Sequence, residues 1–283
     1  MLCRKASDLD TLSVKRLWND VFDDDDVYIS RFIAHFGIEC GYICENESEI
    51  VALAFSIPAE IHFSDSNNNQ LKYIYACATQ PNYRKQGVMT NLLDTVFQDA
   101  CNEDYAGVFL HAADQSLTNY YRKLGFEDFF FRNHSCYYNH KEYKESAKDT
   151  NSLCSLREPL HPLRLNIISP ILYQKKRVQK LNNFCFINWN DGFFRFANQT
   201  GTQFCEFENS FFAFRAVCNN IIVDELLGDI SHEKAAGLLF EQFPESEVVQ
   251  IRLKGDDFRC GQVKWCITLK NHDNKGWFAF AME

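Results

Sequence analysis

A tight turn is predicted at Pro81-Asn82-Tyr83-Arg84-Lys85-Gln86-Gly87-Val88-Met89, between an apolar strand and an amphipathic helix. The strand is the β-branched and aromatic run Tyr73–Thr79, and the proline stops it. After Gly87 the apolar residues recur at three- and four-residue steps, which is the period of a helix with one buried face. They are Met89, Leu92, Leu93, Val96, Phe97 and Ala100. The pattern therefore predicts strand, turn and helix.

This turn has the chemistry of an anion site. Backbone N–H groups without partners at a helix N-terminus, together with the helix dipole, favour a negative charge. Gly87 lets the backbone approach a ligand closely, and Arg84 and Lys85 add two cations, which suits a pyrophosphate. The turn has neither the three glycines of a dinucleotide fingerprint nor the Gly-Lys-Ser/Thr end of a P-loop. By itself it is also the pattern of an ordinary surface turn.

A second strand and a second helix follow the first helix. Gly107–Ala112 is apolar, and the helical pattern after it ends in Tyr121-Arg122-Lys123-Leu124-Gly125-Phe126. Strand, helix and strand at this spacing predict a parallel βαβ unit with a right-handed crossover.

The two motifs in this order resemble the acetyl-CoA site of the Gcn5-related N-acetyltransferases, the GNAT superfamily. The resemblance covers roughly residues 1–140 and implies that acetyl-CoA is the cofactor. It implies that the Arg84–Thr90 backbone holds the pyrophosphate and that the edge of Cys77, Ala78 and Thr79 pairs with the pantetheine amides. It also implies that this strand diverges from the strand that contains Leu110 and so opens a slot for the thioester. The cofactor-binding residues expected are Cys77, Ala78, Thr79, Arg84, Lys85, Gln86, Gly87, Val88, Met89 and Thr90, with Ser116 and Leu117 added by analogy. Met89 departs from the usual Gly or Ala, and Arg84 from the usual Gln.

The predicted fold class is α+β, with a mixed central sheet and helices on both faces. The element order of the first part, β-α-α-β-β-β-α-β-α-β, matches the GNAT fold. We expect an acetyltransferase domain at residues 1–140, a polar linker at 141–162 and a smaller α+β domain at 163–283.

The second part contains several strand-like stretches and one clear amphipathic helix. Phe193–Ala197 is one of these stretches, and Ile221–Leu227, the helix Ser231–Phe243 and Val248–Leu253 predict another βαβ unit. This part therefore resembles a degenerate second GNAT-like half. Its turn, Gly228 to Glu233, carries carboxylates where a pyrophosphate needs cations, so we expect no coenzyme A there.

Tyr121 is the predicted proton donor for the departing thiolate. Leu117, Tyr121 and Leu124 fall at i, i+4 and i+7 on one stripe of the last motif helix, whereas Tyr120 points about 100° away. A buried phenol needs a hydrogen-bond partner, and a thioester sulfur is one. The alternative is that Tyr121 only packs beneath the sheet.

The general base stays open at this point. The strand before the turn contains no carboxylate, and the alternatives are Glu60, His62, His111, a water chain or the carboxylate of Glu283.

Composition excludes some classes of function. No apolar run reaches the ~18–20 residues of a membrane span, no signal peptide is recognised, and a net charge of −9 argues against general nucleic-acid binding. The 12 cysteines contain no CxxC pair, so we expect no metal site and no disulfide framework, but reduced thiols in the cytoplasm.

The predicted function is transfer of the acetyl group of acetyl-CoA to a primary amine of a small molecule or peptide. The run Asp23–Asp26, which the resemblance places beside the acceptor groove, would attract a cationic acceptor. The alternative interpretation of Asp23–Asp26 is a solvated loop whose last residues cap the next helix. The competing function is a catalytically silent acyl-CoA sensor or interaction module.

Overall fold

The helices and strands of the computed structural model follow the predicted order through the first part of the chain. The structure describes residues 1–63, 68–139, 165–255, 258–266, 276–277 and 279. The helices are α1 (Thr11–Phe22), α2 (Asp26–Phe36), α3 (Val88–Asn102), α4 (Gln115–Lys123), α5 (Pro170–Leu181), α6 (Asp191–Gln199) and α7 (His232–Gln242). The strands are β1 (Leu2–Lys5), β2 (Gly41–Asn46), β3 (Glu49–His62), β4 (Asn68–Thr79), β5 (Gly107–Leu110), β6 (Glu127–Tyr138), β7 (Asn166–Ile167), β8 (Phe186–Asn188), β9 (Gln203–Phe207), β10 (Ser210–Val217), β11 (Asn220–Leu227), β12 (Val248–Lys254) and β13 (Phe258–Trp265).

The chain divides into two units, and both are discontinuous in sequence. Unit 1 comprises Met1–Arg132, Leu181–Thr200 and the described residues from Lys254 onward, and unit 2 comprises the described residues of 133–180 with Gly201–Leu253. This division differs from the contiguous domains expected at 1–140 and 163–283, because β8, α6 and β13 belong to unit 1. The predicted linker at 141–162 lies outside the described residues.

Unit 1 contains a mixed sheet in the order β1-β2-β3-β4-β5-β13-β6, with β8 paired to β3. β4 and β5 are parallel, whereas β13 is antiparallel to both of its neighbours. Successive residues of a strand face opposite sides of the sheet. Ala54 accordingly packs in the core under α3, while Phe55 contacts the Trp18 ring of α1 at 5.3 Å between ring centroids. The expected helices on both faces are therefore present.

Unit 2 contains strands in the order β12-β11-β10-β9-β7. β11 and β12 are parallel, and α7 lies between them in sequence, so the second predicted βαβ unit is confirmed. Its core is formed by one face of α7 and by the strands, with Phe212, Phe214 and Val223 among the buried side chains.

The strand expected at Phe193–Ala197 is wrong, because this segment lies within helix α6. The buried side chains Phe193, Phe194, Phe196 and Ala197 recur at helical spacing, and Asn190 caps the helix by accepting a hydrogen bond from Phe193 N at 2.9 Å. Aromatic content favoured a strand in the sequence analysis, but the cap and the spacing of the buried face decide for a helix.

Four cysteines are paired in the structure, which differs from the expectation that all are reduced thiols. Disulfides join Cys3 to Cys44 and Cys101 to Cys266. Cys3 and Cys44 face each other in the register of β1 with β2, a proximity that their separation in sequence does not reveal. Seven described cysteines remain free.

The longest helix among the described residues, α3, has 15 residues. No helix in that part of the chain is long and apolar enough to cross a membrane.

We expect Gly107→Ala to destabilise unit 1, because β5 and β13 approach each other closely at this glycine. A Cβ atom there would lie 2.5 Å from Lys264 O, which is backbone and cannot move aside without parting the strands. Overpacking of this kind costs ~1–3 kcal/mol of unfolding free energy. The measurement is denaturant unfolding followed by tryptophan fluorescence, since all four tryptophans lie in unit 1.

The matched control is Gly237→Ala in α7 of unit 2, where a Cβ would meet nothing within 4 Å. Gly237→Ala should leave the unfolding transition reported by tryptophan fluorescence unchanged. An unchanged transition in Gly107→Ala would contradict the placement of β13 beside β5.

Candidate functional site

The central feature of unit 1 is the point at which β4 and β5 stop pairing. Their parallel register ends at Tyr73 opposite Phe109, although β4 continues to Thr79. The register of β4 against β3 also shifts, since two residues of β4, Ala76 and Cys77, stand opposite one residue of β3. Ala76 has a φ of 52°, as expected for a β-bulge that bends its strand. The sheet therefore opens between β4 and β5.

A cavity of about 670 Å³ occupies this opening, and its described wall belongs entirely to unit 1. One part of the wall is aromatic, from α1, the start of α2 and β4. Another part comes from the ends of β5 and of α4. The lining residues used below are Trp18, Phe22, Asp24, Tyr28, Tyr75, Cys77, His111, Leu117, Tyr121 and Arg132.

Tyr121 lies in this wall and is 6% exposed. Its hydroxyl lies close enough to the Cys77 thiol for each group to influence the pKa of the other. Burial, and then the neighbouring Cys77, raise the pKa of the Tyr121 phenol well above its ordinary value. Burial likewise raises the pKa of the Cys77 thiol to about 12, and the neighbouring Tyr121 hydroxyl lowers it by less. Both groups therefore stay protonated near neutral pH.

Tyr120 has a different environment. Its hydroxyl lies 3.1 Å from Thr90 Oγ1 in the first turn of α3, and its ring is half-buried. The expected buried stripe is partly wrong, because Leu117 is 37% exposed and the buried side chains of α4 are Thr118 and Tyr121. Leu117 lies in the first turn of α4 at the rim of the cavity, so the rest of the helix does not shield its side chain from solvent.

The predicted pyrophosphate turn is an open helix N-terminus. Gly87 is the N-cap of α3 with a φ of 79°, a conformation that favours glycine. The first α-helical bond is donated by Asn91 N to Gly87 O at 3.0 Å, so the amides of Val88, Met89 and Thr90 precede the helical ladder. A Cβ built on Gly87 would meet nothing within 4 Å, which leaves room for a ligand against the backbone.

Arg84 and Lys85 flank this turn and are both exposed. Arg84 Nε donates to Thr79 O at 3.0 Å, which ties the turn to the end of β4. Lys85 has a positive φ of 62°. The residues of the turn and Ser116 are not among the described residues that line the cavity, whereas Cys77, Leu117 and Tyr121 are.

The corresponding turn of unit 2 is closed. A Cβ on Gly228 would lie 2.6 Å from Asn209 O, so neighbouring backbone already fills the space beside this turn. Ile230 N donates to Ser210 Oγ, and Lys234 N donates to Ser231 Oγ, each at 3.2 Å. These contacts occupy amides at the start of α7, and the absence of coenzyme A binding at this turn stays a prediction.

Three of the four aspartates between α1 and α2 hold local structure. Asp23 ends α1 in the left-handed conformation, with a φ of 58°. Asp25 caps α2 by accepting from Tyr28 N at 2.6 Å, and Asp26 forms an ion pair with Lys15 at 2.6 Å. These roles correspond to the structural interpretation of the run.

Asp24 is the member of the run that lines the cavity. Trp18 Nε1 donates to Asp24 Oδ2 at 2.8 Å, so the carboxylate is fixed against the aromatic wall. The sequence analysis did not separate Asp24 from its neighbours. Asp24 is six residues from Trp18 and lies beyond the end of α1, so helical spacing could not predict their contact.

His111 is the one sequence-predicted base that lines the cavity among the described residues. Its Nδ1 lies 2.6 Å from Cys260 O, and because a carbonyl oxygen only accepts, Nδ1 carries the proton of the neutral ring. The lone pair is then on Nε2. Glu60 and His62 bond to each other at 2.6 Å at the distant end of β3, and Glu283 lies outside the described residues.

No group of three or more His, Cys, Asp or Glu side chains suited to a metal ion occurs in the part of the chain that the structure describes.

Comparisons with known proteins agree with this geometry. A family model described as an acetyltransferase (GNAT) domain matches residues 3–129. No curated protein matches the chain at the threshold applied.

Solved structures share the fold over nearly the whole chain. A GCN5-related N-acetyltransferase from Anabaena variabilis superposes with a TM-score of 0.71 at 12% identity, covering 94% of this chain and 73% of that one. A probable N-acyltransferase from Enterococcus faecalis gives 0.70 at 10% identity, covering 94% and 72%. A putative acetyltransferase from Pyrococcus horikoshii gives 0.60 at 13% identity, covering 99% and 95%.

The mixed sheet that opens beside β4 and the glycine turn at the start of α3 lie within residues 3–129, the part of the chain that matches the acetyltransferase (GNAT) domain model.

Proposed function

We propose that the protein transfers the acetyl group of acetyl-CoA to a primary amine of a cationic small-molecule or peptide acceptor. The observation that carries this proposal is a continuous arrangement along β4. The open N-terminus of α3 follows β4 in sequence, and Cys77 of β4 lines the slot together with Tyr121 of α4. The residues fit coenzyme A because Gly87 leaves the backbone accessible and Arg84 and Lys85 supply positive charge.

When bound, acetyl-CoA supplies an acetyl thioester. The bulged edge of β4 at Cys77, Ala78 and Thr79 positions the pantetheine arm, and the turn from Arg84 to Thr90 holds the phosphates. Ser116 and Leu117 border the arm from α4. Holding the thioester and an amine in one slot makes their reaction effectively unimolecular.

Proton movements are assigned to two side chains. As the amine nitrogen bonds to the acetyl carbon and the carbon–sulfur bond breaks, His111 Nε2 accepts the amine proton and the Tyr121 hydroxyl gives its proton to the sulfur. Tyr121 is suited to the second role because its buried phenol lines the same slot as the Cys77 sulfur.

The proposal places this reaction in the cytoplasm. Seven free cysteines among the described residues suit a reducing compartment, in which Cys3–Cys44 and Cys101–Cys266 would be thiol pairs in contact.

The alternative function, a silent acyl-CoA sensor, is motivated by β4, which carries no carboxylate. A screen of primary amines with detection of the released thiol separates the two functions. Acetyl-CoA binding without thiol release on any amine would favour the sensor.

Gly87→Glu should weaken acetyl-CoA binding strongly. The substitution places a side chain and a negative charge in the open space where the pyrophosphate lies, and it strains a left-handed backbone position. Titration calorimetry measures the effect.

The matched control is Gly201→Glu, which also has a positive φ, 108°, and open space at its Cβ, but lies in unit 2. It incurs the same backbone strain away from the turn and should bind acetyl-CoA as the parent does. Equal affinity of the two variants would overturn the assignment of the turn.

Tyr121→Phe should lower kcat by ~10²-fold, the usual loss when a general acid is removed, while acetyl-CoA affinity stays near that of the parent. Because the pKa of Tyr121 is raised, its phenol stays protonated at every pH below the ordinary tyrosine value of ~10, so kcat should not fall with phenol ionisation in that range. Steady-state kinetics across pH provides the check.

Tyr120→Phe is the control for this variant, since it removes a hydroxyl from the adjacent residue and loses only the contact with Thr90. It should change kcat little. Similar losses in both variants would refute the role of Tyr121.

His111→Gln should also lower kcat by ~10²-fold, because the amide cannot accept the proton of the attacking amine. Steady-state kinetics at saturating acetyl-CoA measures the loss.

His62→Gln provides the comparison, because His62 bonds to Glu60 and does not line the cavity among the described residues. A kcat in His111→Gln that equals that of His62→Gln would assign the base elsewhere.

A further inference from the structure

The aromatic part of the cavity wall carries several groups with partial or full negative charge. The hydroxyls of Tyr28 and Tyr75 lie 3.0 Å apart, and the Asp24 carboxylate is held beside the Trp18 indole. Burial, then the Tyr28 hydroxyl and further electron-rich neighbours including Asp24, raise the pKa of Tyr75. Asp24 and the paired phenols line the same cavity, and their oxygen atoms attract a cation.

Aromatic rings at the cavity surface add to this attraction. Trp18 itself is fully buried, and its ring packs against the rings of Tyr75 and Phe22, at 5.7 Å and 6.4 Å between centroids. Phe22 is 43% exposed, so an apolar surface faces solvent at the cavity rim. An ammonium group placed over such rings gains ~0.5–2 kcal/mol from the ring quadrupoles.

The positive and titratable groups of the cavity lie on another part of its wall. Arg132 belongs to β6 and His111 follows β5, whereas Asp24 belongs to the link between α1 and α2. An elongated cation entering the cavity is therefore directed with its free charged end toward Asp24 and away from Arg132.

Asp24 is not placed to serve the amine that reacts. A neighbouring carboxylate raises the pKa of an amine, and an acceptor amine must be uncharged to attack a thioester. The reacting slot is at Cys77 and Tyr121, whereas Asp24 is held by Trp18, whose ring packs against Tyr75. Tyr75 precedes Cys77 by two residues on β4, a spacing of at most ~7 Å along the strand. A few methylene groups bridge that displacement.

Resting on the proposed function, we infer that the acceptor is a diamine, one amine of which reacts at Cys77 and Tyr121 while the other, as an ammonium, binds Asp24, Tyr28 and Tyr75. The linker between the amines is a short apolar chain that passes along the Tyr75 ring. This assignment names the substrate class of the site, and it gives Asp24 a specificity-determining role.

The test compares Asp24→Asn with the parent on two probes of equal length, 1,4-diaminobutane and n-butylamine. Asparagine keeps the size of the side chain, and its amide oxygen still accepts from Trp18 Nε1, so only the charge is lost. We expect kcat/KM for the diamine to fall at least ~10-fold more than kcat/KM for the monoamine, as for loss of a charged hydrogen-bond partner.

The run supplies its own matched controls. Asp23→Asn retains the left-handed position, which asparagine tolerates, and Asp25→Asn retains an N-cap residue of equal quality. Each removes the same charge within one residue of Asp24. Both should keep the parent's preference for the diamine.

The outcomes separate this inference from the proposed function. Equal losses on both amines, or equal effects of all three aspartate substitutions, would overturn the diamine assignment while acetyl transfer stands. Absence of thiol release with every amine in the parent would refute the acetyltransferase itself. Calorimetric binding of 1,4-diaminobutane that disappears in Asp24→Asn supports the inference independently of turnover, and binding unchanged by the substitution contradicts it.

Discussion

The parting of β4 from β5 is the constraint on which the site depends. Two parallel strands that kept pairing would bury their backbone groups against each other and leave no slot. Here the register ends at Tyr73 and Phe109, and the bulge at Ala76 and Cys77 bends β4 away. The cavity, the Tyr121–Cys77 contact and the backbone edge available to a ligand all follow from that separation.

A large part of the fold could be predicted because local patterns and tertiary packing agree. Apolar periodicity located α3 and β4, and Pro81 and Gly87 marked the turn between them. The βαβ unit of unit 2 was found in the same way. Where residues only a few positions apart determine the geometry, the sequence contains the answer.

Long-range placements could not be read in this manner. β13 lies between β5 and β6, although it is about 130 residues from β6, and no local pattern reports such a neighbour. The segment at Phe193–Ala197 is aromatic enough for a strand, and only its cap at Asn190 and the spacing of its buried side chains identify the helix.

Within the candidate site, residue types were predicted better than orientations. Tyr121 was placed on a buried face from helical spacing, but the exposure of Leu117 depends on where α4 meets the cavity rim. Asp24 differs from Asp23 and Asp25 only through the path of the chain between α1 and α2, which directs one carboxylate toward Trp18 and uses the others for helix ends.

The position of β13 also determines when the sheet of unit 1 can be completed during synthesis. Ribosomes release the N-terminal part first, and domains ordinarily fold in that sequence. The sheet of unit 1 lacks its strand between β5 and β6 until residues Phe258–Trp265 have emerged, by which time the segments of unit 2 are already synthesised. Unit 1 is thus begun first and completed last, and a nascent chain released early would expose the unpaired edges of β5 and β6 to aggregation.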